Sequence, residues 1–413
     1  MFKRNVLAVS LAVAGLCSAQ AMAAVVGGGA TLPQGLYGVP ATGGVAAPKG
    51  ILNGPSPLAG FNDYIGVGSG GGKTAFLTNN SAGFVWDIDG NPSTALQVVY
   101  SPAVSVDYAG SDSILSASEL STYRAAHQSP AVPTTSAANW GPIIQIPAEA
   151  TSVTVPYKLT LANGTAVSDL NLTSAQLCSI FTGAYTTWNQ VDSNYPATAI
   201  KVYYRSGSSG TSEIFTRHLN SQCASAVTTN STFATAVGST VAAGFTAVAS
   251  SSAMANTVLA TEGAIGYVGP EDLNATSNAV VARVNGNLPT VGNVTTALST
   301  IAPPAVADRG LPENWAKVLP NPTSGYSIVG YTFLNFNQCY KDTADQDAIR
   351  AFIDRHYTVD DALNNDNAII AAKLIPITDL WKAAIRSTFW TSTNSLSIGN
   401  ATACNGIGRP ANP

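Results

Sequence analysis

The chain has 413 residues, of which 46% are hydrophobic and only 10% are charged, so it is long enough for two lobes around a large core. Its formal net charge of −4 argues against nucleic acid as a specific partner and against an anionic membrane surface. Abundant glycine and proline beside plentiful apolar residues indicate a loop-rich globular protein rather than a disordered one.

The first 23 residues have the three parts of an export signal. Lys3 and Arg4 precede the apolar run 6–14, and Ala21-Met22-Ala23 is a small-x-small cleavage site. We therefore predict a signal peptide over 1–23, cleavage before Ala24, and a secreted protein, either extracellular or periplasmic. A membrane anchor is the alternative, but it needs about 20 apolar residues without such a site.

Two glycine-rich segments follow, Gly27 to Pro33 and Gly66 to Lys73. Both predict tight backbone loops at strand ends. The second segment leads into Gly72-Lys73-Thr74, which resembles the end of a P-loop, but the first glycine of that motif would fall at Val67. The mismatch favours an anion loop that donates from Ser69 over a nucleotide site.

Farther along the chain, short apolar runs alternate with helical stretches. This alternation predicts layers of strands and helices, and hence an α/β fold. The predicted strands are Ile143 to Ile146, Val153 to Pro156, Ile200 to Tyr204 and Ile265 to Val268, and the predicted helices are Ser174 to Phe181, Ser212 to Leu219, Ala344 to Tyr357 and Asp379 to Thr388.

The most informative stretch runs from Ile200 to Glu213, where a strand-like run turns through glycine and serine into a helix. Ser209, Gly210 and Thr211 would present hydroxyls and unpaired amides at the start of that helix, where the dipole also attracts negative charge. Arg205 could place its planar fork on two oxygens of the same anion. The alternative is a polar turn with a serine N-cap.

Asp112 follows the strand-like run 104–108 and the small residues Ala109, Gly110 and Ser111. An ionised carboxylate only accepts hydrogen bonds, so it suits an anion that carries its own proton, such as HPO₄²⁻ or H₂PO₄⁻, and repels sulfate. An Asx turn or a helix N-cap is the alternative for this residue.

Five cysteines become four once Cys17 leaves with the leader. An even set in an oxidising compartment predicts two disulfides, for which three connectivities exist. We favour Cys178 with Cys223 and Cys339 with Cys404, because each bridge then closes a loop inside one region.

The histidines His127, His218 and His356 are isolated in the sequence. They form no HxH or HExxH spacing, so we expect no metal site and no cofactor. A serine nucleophile is not indicated either, because the sequence has no GxSxG elbow. We expect the histidines to cap or pack.

Several segments together resemble the PstS phosphate-binding family, and its DING branch in particular. The resemblance extends over nearly the whole mature chain and is carried by Gly27 to Pro33, Tyr64 to Gly70, Gly110 to Asp112, Trp140 to Pro142, Arg205 to Thr211, Gly263 to Tyr267, Pro322 to Tyr326 and Cys404 to Pro410.

The resemblance implies a two-lobed, periplasmic-binding-protein-like clamp of type II, whose hinge strands let it close on phosphate. The first lobe would comprise 24–155 and 269–413, and the second 156–268, with the strands at 153–156 and 265–268 as crossings. The implied phosphate ligands are Thr31, Leu32 (through its amide), Ser69 and Asp112 from the first lobe, and Arg205, Ser209, Gly210 and Thr211 from the second.

Two departures from the family pattern bear on function. Ala24-Val25-Val26-Gly27 replaces the Asp-Ile-Asn-Gly start of the branch, and Gly207 stands where relatives carry an acidic residue. The altered start is similar to that of the secreted low-molecular-weight alkaline phosphatases of Pseudomonas, which implies hydrolysis of phosphate monoesters or diesters during phosphate scavenging. Asp112 and Arg205 are then the candidate catalytic residues.

The residues themselves explain phosphate binding directly and catalysis less directly. A phosphate-binding protein that feeds uptake without catalysis is therefore the alternative, and a Ser/Thr/Gly-rich surface protein is a third class. We expect a monomer without a membrane anchor, whose partners are phosphate, phosphate esters and the export machinery.

Overall fold

A computed structural model describes residues 25–54, 60–91, 93–101, 104–223 and 225–412. The predicted signal peptide lies outside these residues. Within the described ranges, no helix is both long enough and apolar enough to cross a membrane.

The described chain mixes strands and helices along its whole length. The strands are β1 (Gly27–Gly29), β2 (Ile65–Gly66), β3 (Val85–Trp86), β4 (Gln97–Val98), β5 (Tyr108–Ser111), β6 (Ile143–Ser152), β7 (Asn171–Leu172), β8 (Lys201–Arg205), β9 (Thr246–Val248), β10 (Ala264–Ile265), β11 (Arg283–Val284), β12 (Val329–Asn337) and β13 (Ile375–Pro376). The helices are α1 (Gln34–Tyr37), α2 (Ser69–Thr78), α3 (Ala117–His127), α4 (Ser174–Phe181), α5 (Gly210–Gln222), α6 (Phe233–Ala236), α7 (Ser251–Ala260), α8 (Val291–Leu298), α9 (Pro312–Trp315), α10 (Thr343–His356), α11 (Asp366–Ala371) and α12 (Asp379–Ile385).

The larger sheet has six strands in the order β13-β6-β12-β5-β1-β2. Its two long central strands, β6 and β12, are antiparallel and buried along their whole length, whereas β1 is parallel to both β2 and β5. Burial on both faces explains why β12 is rich in aromatic and other apolar residues. The ends of β1, β2 and β5 lie side by side, and the segments after them carry Thr31, Ser69 and Asp112.

A second sheet has three parallel strands in the order β10-β8-β9, and β7 with β11 and β3 with β4 form two-stranded sheets. Its central strand β8 leads into α5, whose inner face buries Ile214, Phe215 and Leu219 against the core. The ring of Phe215 stacks on that of Tyr267 with 4.5 Å between centroids. This packing fixes the direction in which the N-terminus of α5 points.

Two segments run antiparallel to each other between the sheets. The Thr154 amide donates to the Val268 carbonyl at 2.8 Å, and the Val268 amide donates to the Thr154 carbonyl at 3.1 Å. A third segment joins them, since the Ala282 amide donates to the Val155 carbonyl at 2.9 Å. The strands predicted as crossings therefore lie paired with each other.

Both predicted disulfides are confirmed. Cys178 in α4 is bonded to Cys223 at the end of α5, and Cys339 after β12 is bonded to Cys404 near the C-terminus. The first bridge fastens α4 to α5, and the second fastens the C-terminal segment to the central strand of the large sheet.

The prediction of two glycine loops was wrong in detail, because Gly27 to Gly29 form strand β1 and Ser69 to Thr78 form helix α2. The glycines serve close packing between these elements instead. A Cβ atom on Gly72 would lie 2.4 Å from the Gly29 Cα, so only glycine lets the helix approach the strand so closely.

Candidate functional site

Strand β8 passes into helix α5 through a short polar turn. The strand ends at Arg205, the helix begins at Gly210, and the Ser209 hydroxyl caps the helix by accepting a hydrogen bond from the Ser212 amide. The first amides of a helix have no partner inside it and carry the positive end of its dipole. Ser209 and Thr211 are buried, so these donors lie where water competes little.

Hydrogen bonds with neighbouring side chains hold Arg205 in place. Its Nη1 donates to Ser251 Oγ at 3.0 Å and lies 3.5 Å from Ser209 Oγ, while its main-chain amide donates to the Tyr267 hydroxyl at 3.1 Å. Burial lowers the pKa of Arg205 from its ordinary value, yet arginine keeps its charge in proteins. Its Nε is buried and has no hydrogen-bond partner among the described residues, so part of the fork is available to a ligand.

Asp112 and Ser69 form a second buried group at the ends of β5 and β2. The Asp112 amide donates to Ser69 Oγ at 3.0 Å, and the Thr332 hydroxyl on β12 donates to Asp112 Oδ1 at 2.6 Å. Burial raises the pKa of Asp112 to about 7, the negative charge of Glu213 adds to the rise, and the Thr332 hydrogen bond opposes it. Asp112 can therefore gain or lose a proton near neutral pH.

The turn that carries Arg205 and Ser209 meets the pair Ser69 and Asp112 at Gly210. A Cβ atom on Gly210 would lie 2.3 Å from the Asp112 Cβ and 2.5 Å from Ser69 Oγ. Next to this contact, a Cβ on Gly70 would lie 2.5 Å from Ser208 Oγ. The N-terminus of α5 thus packs directly against Asp112 and the start of α2.

Thr31 and Leu32 follow β1 and lie at the edge of this site. With Arg205 they line a cavity of about 1590 Å³, which we call the outer cleft. Ser69, Asp112, Ser209, Gly210 and Thr211 do not line the outer cleft and are enclosed behind these three residues. The structure therefore places all eight predicted ligands in one neighbourhood, five of them enclosed and three at its boundary.

Comparison with known proteins identifies the family. A model of the PBP superfamily domain matches residues 58–354. Alkaline phosphatase L of Pseudomonas aeruginosa strain PAO1 is 48% identical over 415 residues, which cover 99% of this chain and 100% of that protein. The chain belongs to the PBP superfamily, in its PstS/DING branch.

Solved structures of this PBP branch agree with the assignment. A phosphate-binding protein from Stenotrophomonas maltophilia has 38% sequence identity and a TM-score of 0.77, covering 94% of this chain and 99% of that one. The phosphate-bound periplasmic protein PfluDING has 36% identity and the same TM-score and coverage. The predicted α/β clamp fold is thereby confirmed.

Three residues that support the site of this PBP-superfamily chain were not predicted. Thr332 holds Asp112, Tyr267 holds the Arg205 main chain and the Ser212 hydroxyl, and Ser251 holds the guanidinium. Tyr267 lies in the segment Gly263 to Tyr267 that carried part of the family resemblance, so a signal for it existed. The sequence carried no signal for Thr332, because this residue stands 220 residues from its partner Asp112 inside an apolar strand.

A second buried carboxyl lies behind Asp112. Glu149 on β6 stands opposite Thr332 on β12, so the two side chains share one face of the sheet. Glu149 Oε1 accepts a hydrogen bond from the Tyr37 hydroxyl at 2.8 Å, whereas Oε2 is buried without a partner among the described residues. Burial raises the pKa of Glu149 to about 8, and the nearby Asp112 adds to the rise.

Replacing Glu149 by Gln should flatten the dependence of stability on pH. A folded pKa near 8, above the ordinary value of 4.5, means that the folded state holds one more proton than the unfolded state between these pH values. The free energy of unfolding then falls as pH rises through this window, by up to about 1.4 kcal/mol per pH unit for one proton. We expect chemical denaturation at pH 5, 6, 7 and 8 to show a shallower slope for Glu149→Gln.

Glu313→Gln is the matched control, because Glu313 is exposed and its pKa is lowered by hydrogen bonding to Arg124. It should leave the slope between pH 5 and 8 as in the wild type. An unchanged slope in Glu149→Gln would show that Glu149 is ionised in the folded protein.

Proposed function

We propose that the chain binds inorganic phosphate between two lobes, residues 24–155 with 269–413 and residues 156–268. The observation that carries the proposal is the contact of Gly210 with Asp112 and Ser69, which sets the N-terminus of α5 directly beside an acidic residue. An anion held there meets amides, hydroxyls and one guanidinium as donors, and one carboxylate as acceptor. The proposed ligands are Thr31, Leu32 (through its amide), Ser69, Asp112, Arg205, Ser209, Gly210 and Thr211.

The Asp112 carboxyl gives this site a means to distinguish phosphate from sulfate. Near neutral pH phosphate carries a proton that can be donated to a carboxylate, whereas sulfate presents only acceptors. Two acceptors facing each other in a buried site repel and leave each other without a hydrogen bond, which costs about 1 to 3 kcal/mol or more when the groups are charged.

Asp112→Asn should reduce the preference for phosphate over sulfate by about tenfold or more. The Thr332 hydroxyl keeps donating to the side-chain oxygen, so the amide nitrogen of the variant turns its hydrogens towards the anion. Phosphate loses its acceptor and sulfate gains a donor. Calorimetric titration with both anions measures the ratio of the two affinities, and the surface variant Asp192→Asn is the control. An unchanged ratio in Asp112→Asn would show that Asp112 does not accept a hydrogen bond from the phosphate proton.

Hydrolysis of phosphate esters is a second candidate function. It is favoured by the pKa of Asp112 near 7 and by the 48% identity to a protein called alkaline phosphatase L. In this reaction a water oxygen bonds to phosphorus while the bond from phosphorus to the alcohol oxygen breaks. The water proton passes to the Asp112 carboxylate and then to the departing alcohol oxygen, and Arg205 with the α5 amides stabilises the charge on the phosphoryl oxygens.

Turnover of an aryl phosphate with a chelator present tests whether the two activities share one site. We expect slow, metal-independent turnover in the wild type and its loss, together with phosphate binding, in Arg205→Ala. A variant that loses phosphate binding but keeps turnover would place catalysis elsewhere. A wild type that binds phosphate without any turnover would leave binding as the function.

The biological setting that we propose is export and phosphate scavenging. The leader predicted over 1–23 would deliver the chain to the periplasm or the medium, where both disulfides are stable. We further propose that the mature protein is a monomer, since two lobes of one chain supply the whole ligand shell.

A further inference from the structure

The outer cleft stays open although the phosphate site is closed. The close approach of Gly210 to Asp112 and of Gly70 to Ser208 leaves no gap between the two halves at that point. Beside it the outer cleft retains about 1590 Å³, more than the roughly 300 to 1,000 Å³ of ordinary small-molecule pockets. Phosphate has five heavy atoms and is accounted for by the enclosed residues, so the cleft has room for a further chemical group.

The outer cleft and the phosphate site share a boundary. Thr31, Leu32 and Arg205 belong to the proposed phosphate shell and also line the cleft. A phosphoryl group in the enclosed site could therefore carry a substituent that passes between these residues into the cleft. Inorganic phosphate needs no such exit, whereas an organic phosphate does.

One part of the cleft wall is apolar and includes an aromatic ring. Val85 and Trp86 of β3 and Leu96 before β4 line it. The Trp86 Nε1 donates to Thr42 Oγ1 at 3.0 Å, which satisfies the polar edge of the indole and fixes its orientation. An apolar wall with one oriented indole favours a flat, ring-containing ligand group.

Another part of the wall supplies polar groups. The Lys373 Nζ donates to the carbonyls of Glu271 and Leu273, both at 3.0 Å, and Arg355 Nε donates to Asn365 Oδ1 at 3.2 Å. Neither cation makes an ion pair with a carboxylate of the described residues, so both retain donors for a ligand. These two cations supply hydrogen-bond donors on a part of the wall that also carries several serine and asparagine side chains.

Glu271 is the least satisfied polar group of the cleft wall. Both of its carboxyl oxygens are buried, and neither has a hydrogen-bond partner among the described residues. The carboxyl folds back against Gly269, where a Cβ atom would lie 2.1 Å from Glu271 Oε2. Burial raises the pKa of Glu271 to about 8, so at neutral pH this carboxyl is mainly protonated and places little negative charge beside the cleft.

We propose that the outer cleft binds the organic part of phosphate monoesters whose alcohol contains an aromatic ring, with the ring on the Trp86 wall and the phosphoryl group in the enclosed site. This inference rests on the proposed phosphate site and adds the class of ester that the site accepts. It requires no catalysis, since an ester can be bound there without being cleaved.

The test compares phenylphosphonate with methylphosphonate, because their phosphorus–carbon bond is not hydrolysed and no phosphate is released during the titration. In calorimetry on the wild-type chain we expect phenylphosphonate to bind about tenfold more tightly than methylphosphonate. Trp86→Ala should remove this difference and change phosphate affinity less than twofold. Trp390→Ala, a half-buried tryptophan outside the cleft, should keep the difference.

Leu96→Asp is a second variant with little risk to folding, because Leu96 is 57% exposed. The new charge in the apolar wall should lower the affinity for phenylphosphonate about tenfold and change the affinity for methylphosphonate less than twofold. Equal affinities for the two phosphonates in the wild type would overturn the proposal while phosphate binding stands. The same holds if Trp86→Ala lowers the affinities for phosphate and for both phosphonates by the same factor. Failure of the wild type to bind phosphate would overturn both.

Discussion

Gly210→Ala should lower the affinity for phosphate by about 100-fold or more. The new methyl group would lie 2.3 Å from the Asp112 Cβ and 2.5 Å from Ser69 Oγ, so the two halves of the site could not approach as they do here. Residues held about 1 Å farther apart lose most of their hydrogen bonds to one anion, and each such bond to a charged group contributes about 1.5 to 3 kcal/mol. Calorimetric titration with phosphate measures the loss.

The fold should survive this substitution. Gly210 is the first residue of α5, and alanine has a higher helix propensity than glycine. Gly207→Ala is the matched control three residues away, because a Cβ atom there would meet nothing within 4 Å. If both variants bound phosphate like the wild type, the contact between α5 and Asp112 would not be part of the binding site.

Arg205→Ala should also lower phosphate affinity by about 100-fold or more. A guanidinium can donate two parallel hydrogen bonds to one anion, and charge-assisted bonds are about twice as strong as neutral ones. Arg205 is 7% exposed, and Ser251 and Ser209 hold its Nη1 in place, so little is lost in ordering the side chain on binding.

Arg205→Lys separates charge from geometry. It keeps the positive charge but loses the planar fork, so we expect an affinity between those of the wild type and Arg205→Ala. Arg124→Ala removes a partly exposed arginine outside the cleft and should bind phosphate like the wild type. Equal phosphate affinities in all four proteins would remove Arg205 from the site.

Local pattern was sufficient for some elements and insufficient for others. The helix predicted at Ser174 to Phe181 is present over the same residues, because a Thr173 capping box starts it and an amphipathic pattern sustains it. The glycine-rich segment before Thr74 was predicted as a loop and is a helix. Its glycines are explained only by the approach of α2 to β1, a tertiary contact that local propensity does not contain.

The same distinction applies to the site. The turn from Arg205 to Thr211 carries its chemistry in one continuous segment, so its donors could be predicted from sequence. The meeting of Gly210 with Asp112 joins segments about 100 residues apart, and the family resemblance rather than any spacing placed them together. Glu149 and Glu271 had no sequence signal, because burial alone distinguishes them from surface glutamates.

A crystal structure with phosphate bound tests the central claim most directly. We predict the phosphorus atom enclosed beside the contact of the α5 N-terminus with Asp112, with one phosphate oxygen within hydrogen-bond distance of the Asp112 carboxyl and two others on the Arg205 guanidinium. Phosphate bound instead in the outer cleft, for example on Lys373 or Arg355, with Asp112 and Gly210 out of contact with it, would contradict the account.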